Sequence, residues 1–160
     1  MEKKQRTLNN KGFSLIELIV VIAIMAILVG VLAPNVLKYV ESSRESADKQ
    51  VADTIRTAVM TALVDPSIDA KDIPDAGNGK ALSAVCGTTN SFTKAVLSNA
   101  GVEQITELTS ALKSKKLKGG AITVDITSAN AVTVHIKTAD WEFDTTSGAI
   151  TAVSGGTKTE

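Results

Sequence analysis

The stretch Gly12-Phe13-Ser14-Leu15-Ile16-Glu17-Leu18 opens an apolar run of 21 residues that ends at Ala33. Glu17 is the only ionisable residue between Phe13 and Ala33. A helix rising ~1.5 Å per residue would carry this run across the ~30 Å hydrocarbon core of a bilayer. A lone charge inside a membrane helix costs roughly 2.5–3.5 kcal/mol. Because Ile16 and Leu18 offer no partner, the sequence predicts that Glu17 pairs with a group outside its own helix.

Charge is divided unevenly along this chain of 160 residues, whose formal net charge is zero. Residues 1–12 carry four basic side chains and one acidic one, a net of +3, which leaves −3 for the remainder. A basic flank before an apolar helix predicts a cytoplasmic N-terminus. A secretory signal would have a shorter apolar core of ~7–15 residues followed by small residues, and Pro34-Asn35-Val36 does not match that pattern. A plain signal anchor is an alternative, but it leaves Glu17 unexplained.

About the first 50 residues resemble type IV pilins and the related pseudopilins of type II secretion and DNA-uptake systems. The resemblance rests on a basic leader, on Lys11-Gly12, on the motif from Phe13 to Leu18 and on the apolar run ending near Pro34. It implies that a prepilin peptidase/methyltransferase cleaves between Gly12 and Phe13 and methylates the new amino group of Phe13. It also implies that Glu17 attracts the N-terminal amine of a neighbouring subunit during assembly. Attraction between an ammonium and a carboxylate is far stronger in low dielectric than in water.

The resemblance further implies a structural subunit that polymerises with itself into a surface filament for adhesion, twitching motility or DNA uptake. Before assembly the chain would cross the inner or cytoplasmic membrane once, and an assembly platform and cytoplasmic ATPases would be its partners. The alternative within the resemblance is a pseudopilin of a secretion or competence system. A third hypothesis, a simply anchored surface binding module, gives Glu17 no part in assembly.

The apolar pattern changes at Pro34. In the half at 13–33, the residues from 18 to 33 are apolar on every face, whereas the half at 34–64 places an apolar stripe opposite a charged face. Together the two halves predict one helix of ~52 residues. The stripe consists of Val36, Val40, Ala47, Val51, Ile55, Val59 and Leu63. The charged face consists of Lys38, Glu41, Arg44, Glu45, Asp48, Lys49, Asp53 and Arg56.

Pro34 cannot donate a hydrogen bond to the carbonyl of Gly30, and glycine is itself a poor helix former. The helix is therefore expected to kink or melt between these two residues. The resemblance implies unwinding there in assembled pili, whereas a mild bend in a continuous helix is expected for the free subunit.

Residues 65–120 are predicted to form a loop and short helices, at Ser91–Asn99 and Val102–Lys115. Carboxylates in the loop invite a calcium site, but they lack an EF-hand pattern, so solvated charges are the preferred interpretation. These carboxylates are Asp65, Asp69, Asp72 and Asp75. Four lysines near the end of the second helix are expected to cap it, with a basic patch for DNA or an anionic surface as the alternative. They are Lys113, Lys115, Lys116 and Lys118.

Residues 121–153 alternate apolar and polar side chains in segments at 121–126, 132–137, 141–143 and 149–153. This pattern predicts an antiparallel sheet of three or four strands, with a turn at 128–130 and a flexible tail at 154–160. One face of the sheet should pack on the Val51–Leu63 part of the stripe. The fold class is therefore α+β, and the resemblance narrows it to the pilin fold.

The sequence contains no nucleotide-binding loop, zinc spacing or nucleophile elbow. The single histidine, His135, lies in a predicted strand, where a structural role is commoner than a catalytic one. The single cysteine, Cys86, excludes an intramolecular disulfide and is expected to be a small buried apolar residue. The sequence thus predicts no catalytic residue, no metal, no cofactor and no enzymatic activity.

Overall fold

The computed structural model describes residues 12–87, 89–127 and 131–153. The chain divides into an N-terminal unit, Met1–Tyr39, and a C-terminal unit, Val40–Glu160. Most of the predicted leader, the predicted turn at 128–130 and the predicted tail at 154–160 lie outside the described residues.

Helix α1, Leu15–Leu63, contributes residues to both units. Its 49 residues continue through Pro34 without a break, in agreement with the continuous helix expected for a free subunit. A proline removes one helical hydrogen bond, here the bond to the carbonyl of Gly30. One residue later the side-chain amide of Asn35 donates to the carbonyl oxygen of Val31 at 3.4 Å.

The buried face of α1 differs from the predicted stripe. Val51 is half-buried, and Ile55, Val59 and Leu63 are buried as predicted, but Val36, Val40 and Ala47 are exposed. Residues four apart are ~400° apart around a helix, so a stripe at strict spacings of four turns away by ~40° at each step. The face that is actually buried alternates spacings of three and four. It consists of Asp48, Ala52, Ile55, Ala58, Val59, Ala62 and Leu63.

Short elements fill the region between α1 and the sheet. A 3₁₀ turn at Ala70–Asp72 is followed by strand β1, Gly77–Ala81, and by three helices. These are α2, Leu82–Val85; α3, Ser91–Ala100; and α4, Ile105–Ser110. The prediction of α3 is confirmed: Asn90 Oδ1 accepts the backbone N–H of Thr93 at 2.8 Å, and Gly101 ends the helix in the left-handed conformation.

The predicted helix at Val102–Lys115 is wrong in length, because α4 stops at Ser110. The backbone N–H groups of Lys113 and Ser114 donate to the carboxylate of Asp48 at 2.8 and 2.9 Å. Those two donors are thereby withdrawn from a continued helix, whose N–H groups would bond four residues back.

The sheet has five antiparallel strands in the order β1-β2-β3-β4-β5, one more than the three or four predicted. The other four are β2, Ala121–Ile126; β3, Val132–Lys137; β4, Trp141–Asp144; and β5, Ile150–Ala152. The extra strand is β1, from the predicted loop, whose Gly-Asn-Gly-Lys-Ala sequence has no apolar alternation. It lies at one edge of the sheet, where one side of the strand is unpaired.

Alternation in β2 and β3 puts one set of side chains into the core. Ile122 pairs with Ile136 and Val124 with Val134, and all four are buried. They belong to the same hydrophobic core as Ile55 and Val59 of α1, so the predicted packing of the sheet on this part of the helix is confirmed.

Candidate functional site

The three described residues before α1 are exposed. Gly12, Phe13 and Ser14 precede the helix, and the Phe13 side chain is 94% exposed. Gly12 and Phe13 are both exposed, so no described residue of the chain covers the peptide bond between them.

The first turn of α1 is closed by a capping box. Glu17 Oε2 accepts the backbone N–H of Ser14 at 2.8 Å, and Ser14 Oγ accepts the backbone N–H of Ile16 at 3.4 Å. A serine followed three residues later by a glutamate satisfies N-terminal donors in both directions. One carboxylate oxygen of Glu17 thus already holds a backbone donor, and the pairing of Glu17 with a charged group outside its own helix stays a prediction. The Ser-x-x-Glu pattern was visible in the sequence.

The surface around Glu17 is apolar. Ile16, Glu17, Val20 and Val21 line a shallow cavity of about 290 Å³. Once a membrane or a neighbouring helix excludes water from such surroundings, a carboxylate attracts a cationic group more strongly than it does in water, since the local dielectric is then low.

The apolar run of α1 is exposed along its whole described length. Fifteen large apolar side chains between Phe13 and Leu32 are exposed. At 49 residues, with this apolar first part, α1 meets the requirements of length and composition for crossing a membrane. Continuous exposed apolar surface of this size marks a membrane or protein interface.

Gly30 lies within this exposed run, and a Cβ atom added there would meet no atom within 4 Å. The packing of the chain itself therefore does not require glycine at this position. Small residues on apolar helices allow the backbone of another helix to approach closely.

The loop carboxylates predicted as solvated charges have separate local roles. Asp72 Oδ2 accepts the hydroxyl and the backbone N–H of Ser91 at 2.7 and 3.1 Å, and these bonds lower the pKa of Asp72. Asp65 accepts from Ser67, whose hydroxyl and backbone bonds lower the pKa of Asp65 as well. Asp69 pairs with Lys71 at 3.2 Å. Within the described ranges, no three carboxylate, histidine or cysteine side chains converge as metal ligands.

Asp48 was placed on the charged face, but it is completely buried. Besides the two backbone donors described above, its Oδ2 accepts the hydroxyl of Ser114 at 2.5 Å. Full pairing of this kind is what allows a carboxylate to be buried. No pattern in the sequence distinguishes Asp48 from its exposed neighbours.

The four lysines after α4 do not cap it, because the first of them lies beyond its last residue. Their segment lies instead on α1. The backbone N–H of Lys115 donates to Glu41, and Lys116 Nζ lies 2.9 Å from Glu45 Oε1 and 4.6 Å from the centre of the Trp141 ring. The side chains of Lys113, Lys115 and Lys118 are exposed.

The surroundings of His135 and Cys86 indicate structural roles for both residues. His135 Nε2 lies 3.2 Å from Asp125 Oδ2, on the sheet face away from the core. Cys86 is buried as predicted, and burial raises the pKa of its thiol to about 11. A thiol with that pKa is almost entirely protonated at neutral pH and is a poor nucleophile.

Comparisons with known proteins agree with these observations. A family model described as a prokaryotic N-terminal methylation motif matches residues 7–33. The prepilin peptidase-dependent protein A of Clostridium perfringens is 33% identical over 129 residues, which cover 80% of this chain and 86% of that relative. The chain belongs to the type IV prepilin family.

Two further relatives of this family match over shorter stretches. The type IV wide pilus major component PilA4 of Thermus thermophilus is 48% identical over 56 residues, or 35% of this chain and 37% of that relative. The type IV major fimbrial protein FimA of Dichelobacter nodosus is 40% identical over 55 residues, or 34% of this chain and 35% of that relative. The chain thus matches only about a third of the length of these two relatives. No solved structure matches the chain significantly.

Proposed function

We propose that the chain is a structural subunit, of the major type, of a type IV pilus filament on the bacterial surface. The observation that carries this proposal is the exposed apolar run of α1 with a single carboxylate, Glu17, in its first turn. Fifteen large apolar side chains of this run are about half exposed or more. Removing them from water contributes a free energy on the order of 10–20 kcal/mol. A bilayer supplies that cover before assembly, and the same helices of neighbouring copies supply it in a filament.

Processing removes the leader in this proposal. A prepilin peptidase cleaves between Gly12 and Phe13 on the cytoplasmic side and methylates the amino group of Phe13. The exposure of both residues supports access by such an enzyme. The new ammonium of one subunit then pairs with Glu17 of its neighbour, which has one carboxylate oxygen engaged by Ser14 and the other available in the described structure.

Assembly requires a membrane platform and cytoplasmic ATPases, and the filament serves adhesion, motility or DNA uptake. In the filament, Gly30 to Pro34 is the segment of α1 that unwinds most readily, since it combines a missing hydrogen bond with a residue of low helix propensity. The similarity of the chain to PilA4 and FimA, both major pilus components, supports the major type rather than a pseudopilin.

Mass spectrometry of material sheared from cells tests the proposal. A mature chain that begins at methylated Phe13 and is abundant in the sheared filaments is the expected result. The same processed chain confined to membranes would replace the proposal with a pseudopilin. An intact chain starting at Met1 in both fractions would overturn it.

One exchange at Glu17 and one at Ser14 separate pairing from helix capping. Glu17→Gln keeps an oxygen that can accept the Ser14 N–H but removes the charge, whereas Ser14→Ala removes the hydroxyl that caps Ile16 and keeps the charge. We expect Glu17→Gln to leave the chain in the membrane and to abolish sheared filaments, and Ser14→Ala to retain them. Normal assembly of Glu17→Gln would refute the ammonium–carboxylate pairing and would favour an anchored surface module.

A further inference from the structure

The edge strand β1 contains a bulge at the only Asn-Gly pair of the sequence. Gly77 pairs with Ile126 and Lys80 pairs with Val124, so Asn78 and Gly79 together face one residue of β2, Asp125. Gly79 has a φ of +65°, as expected for a glycine that forms a bulge. Both residues of the pair are exposed.

The carboxylate of Asp125 faces the backbone nitrogen of Gly79. The N–H of Gly79 donates to Asp125 Oδ1 at 2.5 Å, while Asp125 Oδ2 lies 3.2 Å from His135 Nε2. Both oxygens of the Asp125 carboxylate thus have a partner. The partner of Oδ1 is the single proton on the backbone nitrogen of Gly79, the residue after Asn78. A Cβ built on Gly79 would meet no atom within 4 Å, so the space beside its Cα atom is open.

We infer that Asn78 is a site of self-catalysed deamidation in which Asp125 is the general base. The backbone nitrogen of Gly79 attacks Cγ of Asn78, and its proton passes to Asp125 Oδ1. A bond forms between that nitrogen and Cγ, the bond from Cγ to Nδ2 breaks, and ammonia leaves with the transferred proton. Water then opens the five-membered succinimide ring, which leaves aspartate or isoaspartate at position 78. No oxidant or reductant takes part.

Conversion of Asn78 changes the exposed edge of the sheet that β1 forms. Either outcome adds one negative charge to β1, and isoaspartate also lengthens the backbone by one carbon where β1 pairs with β2. The step is irreversible under ordinary conditions, because ammonia is lost to solvent. Older copies of the chain therefore differ in surface charge from newly made ones, independently of whether the chain forms filaments.

Other asparagines of the same chain serve as internal references. Asn90 precedes a serine and uses its Oδ1 to cap α3, and Asn99 lies inside α3. The N–H of Ser91, which follows Asn90, also donates to a carboxylate, Asp72 Oδ2, at 3.1 Å. The amide of Asn90, however, is held at both ends, its Oδ1 by the N–H of Thr93 and its Nδ2 by the carbonyl oxygen of Asp72. Position 78, where a glycine follows, should therefore convert faster than position 90 and faster than position 99, which lies in a helix.

The experiment follows the full chain in detergent micelles at neutral pH and constant temperature, with peptide mass spectrometry and chromatographic separation of isoaspartate. The conversion rate at Asn78 is compared with the rate in the same chain unfolded in urea. We expect the folded chain to convert faster, and Asp125→Asn to slow conversion in the folded chain by roughly a hundredfold, the lower end of the range for a general base. Asp125→Asn should leave the rate in urea unchanged.

Two results would overturn the inference. One is a folded chain that converts no faster than the unfolded chain, a comparison that needs no variant and so does not depend on whether Asp125→Asn folds. The other is an unchanged rate in a folded Asp125→Asn chain. Asn78→Gln is the matched control, since it keeps the amide but would need a six-membered ring, and it should show no mass gain in the peptide containing position 78.

Discussion

Asp48→Ala should strongly destabilise the C-terminal unit. The exchange removes the acceptor of three hydrogen bonds, from the backbone of Lys113 and from the backbone and hydroxyl of Ser114. Hydrogen bonds to a charged group are worth ~1.5–3 kcal/mol each, but they are not additive, and the exchange also ends the desolvation of the carboxylate. We therefore expect the free energy of unfolding to fall by about 3 kcal/mol, a large part of the 5–15 kcal/mol typical of a domain.

Asp53→Ala is the matched control. Asp53 lies on the same helix, five residues further on, and is exposed. Both exchanges raise the helix propensity by a similar amount, up to ~0.7 kcal/mol. The difference between them therefore isolates the contribution of the buried carboxylate. Asp53→Ala should therefore raise the free energy of unfolding by no more than about 0.7 kcal/mol.

Urea titration of the full chain in detergent micelles measures these values through the fluorescence of Trp141. This is the only tryptophan, and Lys116, from the segment held by Asp48, lies over its ring. A double-mutant cycle with Ser114→Ala should show coupling, because the two side chains share a hydrogen bond. A loss below about 1 kcal/mol for Asp48→Ala, or one equal to that of Asp53→Ala, would refute the reasoning, since it would mean that the buried donors find other partners.

Three further predictions concern other residues of the chain. Because the pKa of Cys86 rises from 9.0 to about 11 on burial, the folded chain holds this proton more tightly, and stability should fall as the pH rises from 9 towards 11. In urea titrations, the free energy of unfolding of Cys86→Ala should fall less over this pH range than that of the unaltered chain. An equal fall in the two proteins would contradict the prediction. Ser91→Ala removes the hydroxyl that most lowers the pKa of Asp72, so that pKa should rise towards 3.8 when followed by NMR, while the pKa of Asp65 stays unchanged. Gly30→Ala should leave the unfolding of the isolated chain unchanged and its helix content unchanged or slightly raised by circular dichroism, because the new methyl group meets no atom within 4 Å. A drop in helix content would show that the chain itself requires glycine at that position.

The parts of the structure that depend on neighbouring residues in the chain could be predicted well. Asn90 and Gly101 bound α3 as capping residues do, and the alternation of β2 and β3 gave their bounds and their buried face. Glu17 could be recognised from the sequence equally well, since a single carboxylate within an apolar run is a feature of composition and spacing. The capping box at Ser14 was missed although its pattern is local.

Tertiary contacts decided the rest. Strand β1 has no apolar alternation, and it pairs with β2 because β2 offers a free edge. Helix α4 ends early because Asp48, more than sixty residues away, takes two backbone donors from the segment that follows. The sequence by itself thus determined the apolar helix, its single carboxylate and the alternating strands, since hydrophobic periodicity is written in consecutive residues. Only the tertiary structure decided which aspartate of α1 is buried and where the lysines lie, because the partner that makes such burial favourable comes from a distant part of the chain.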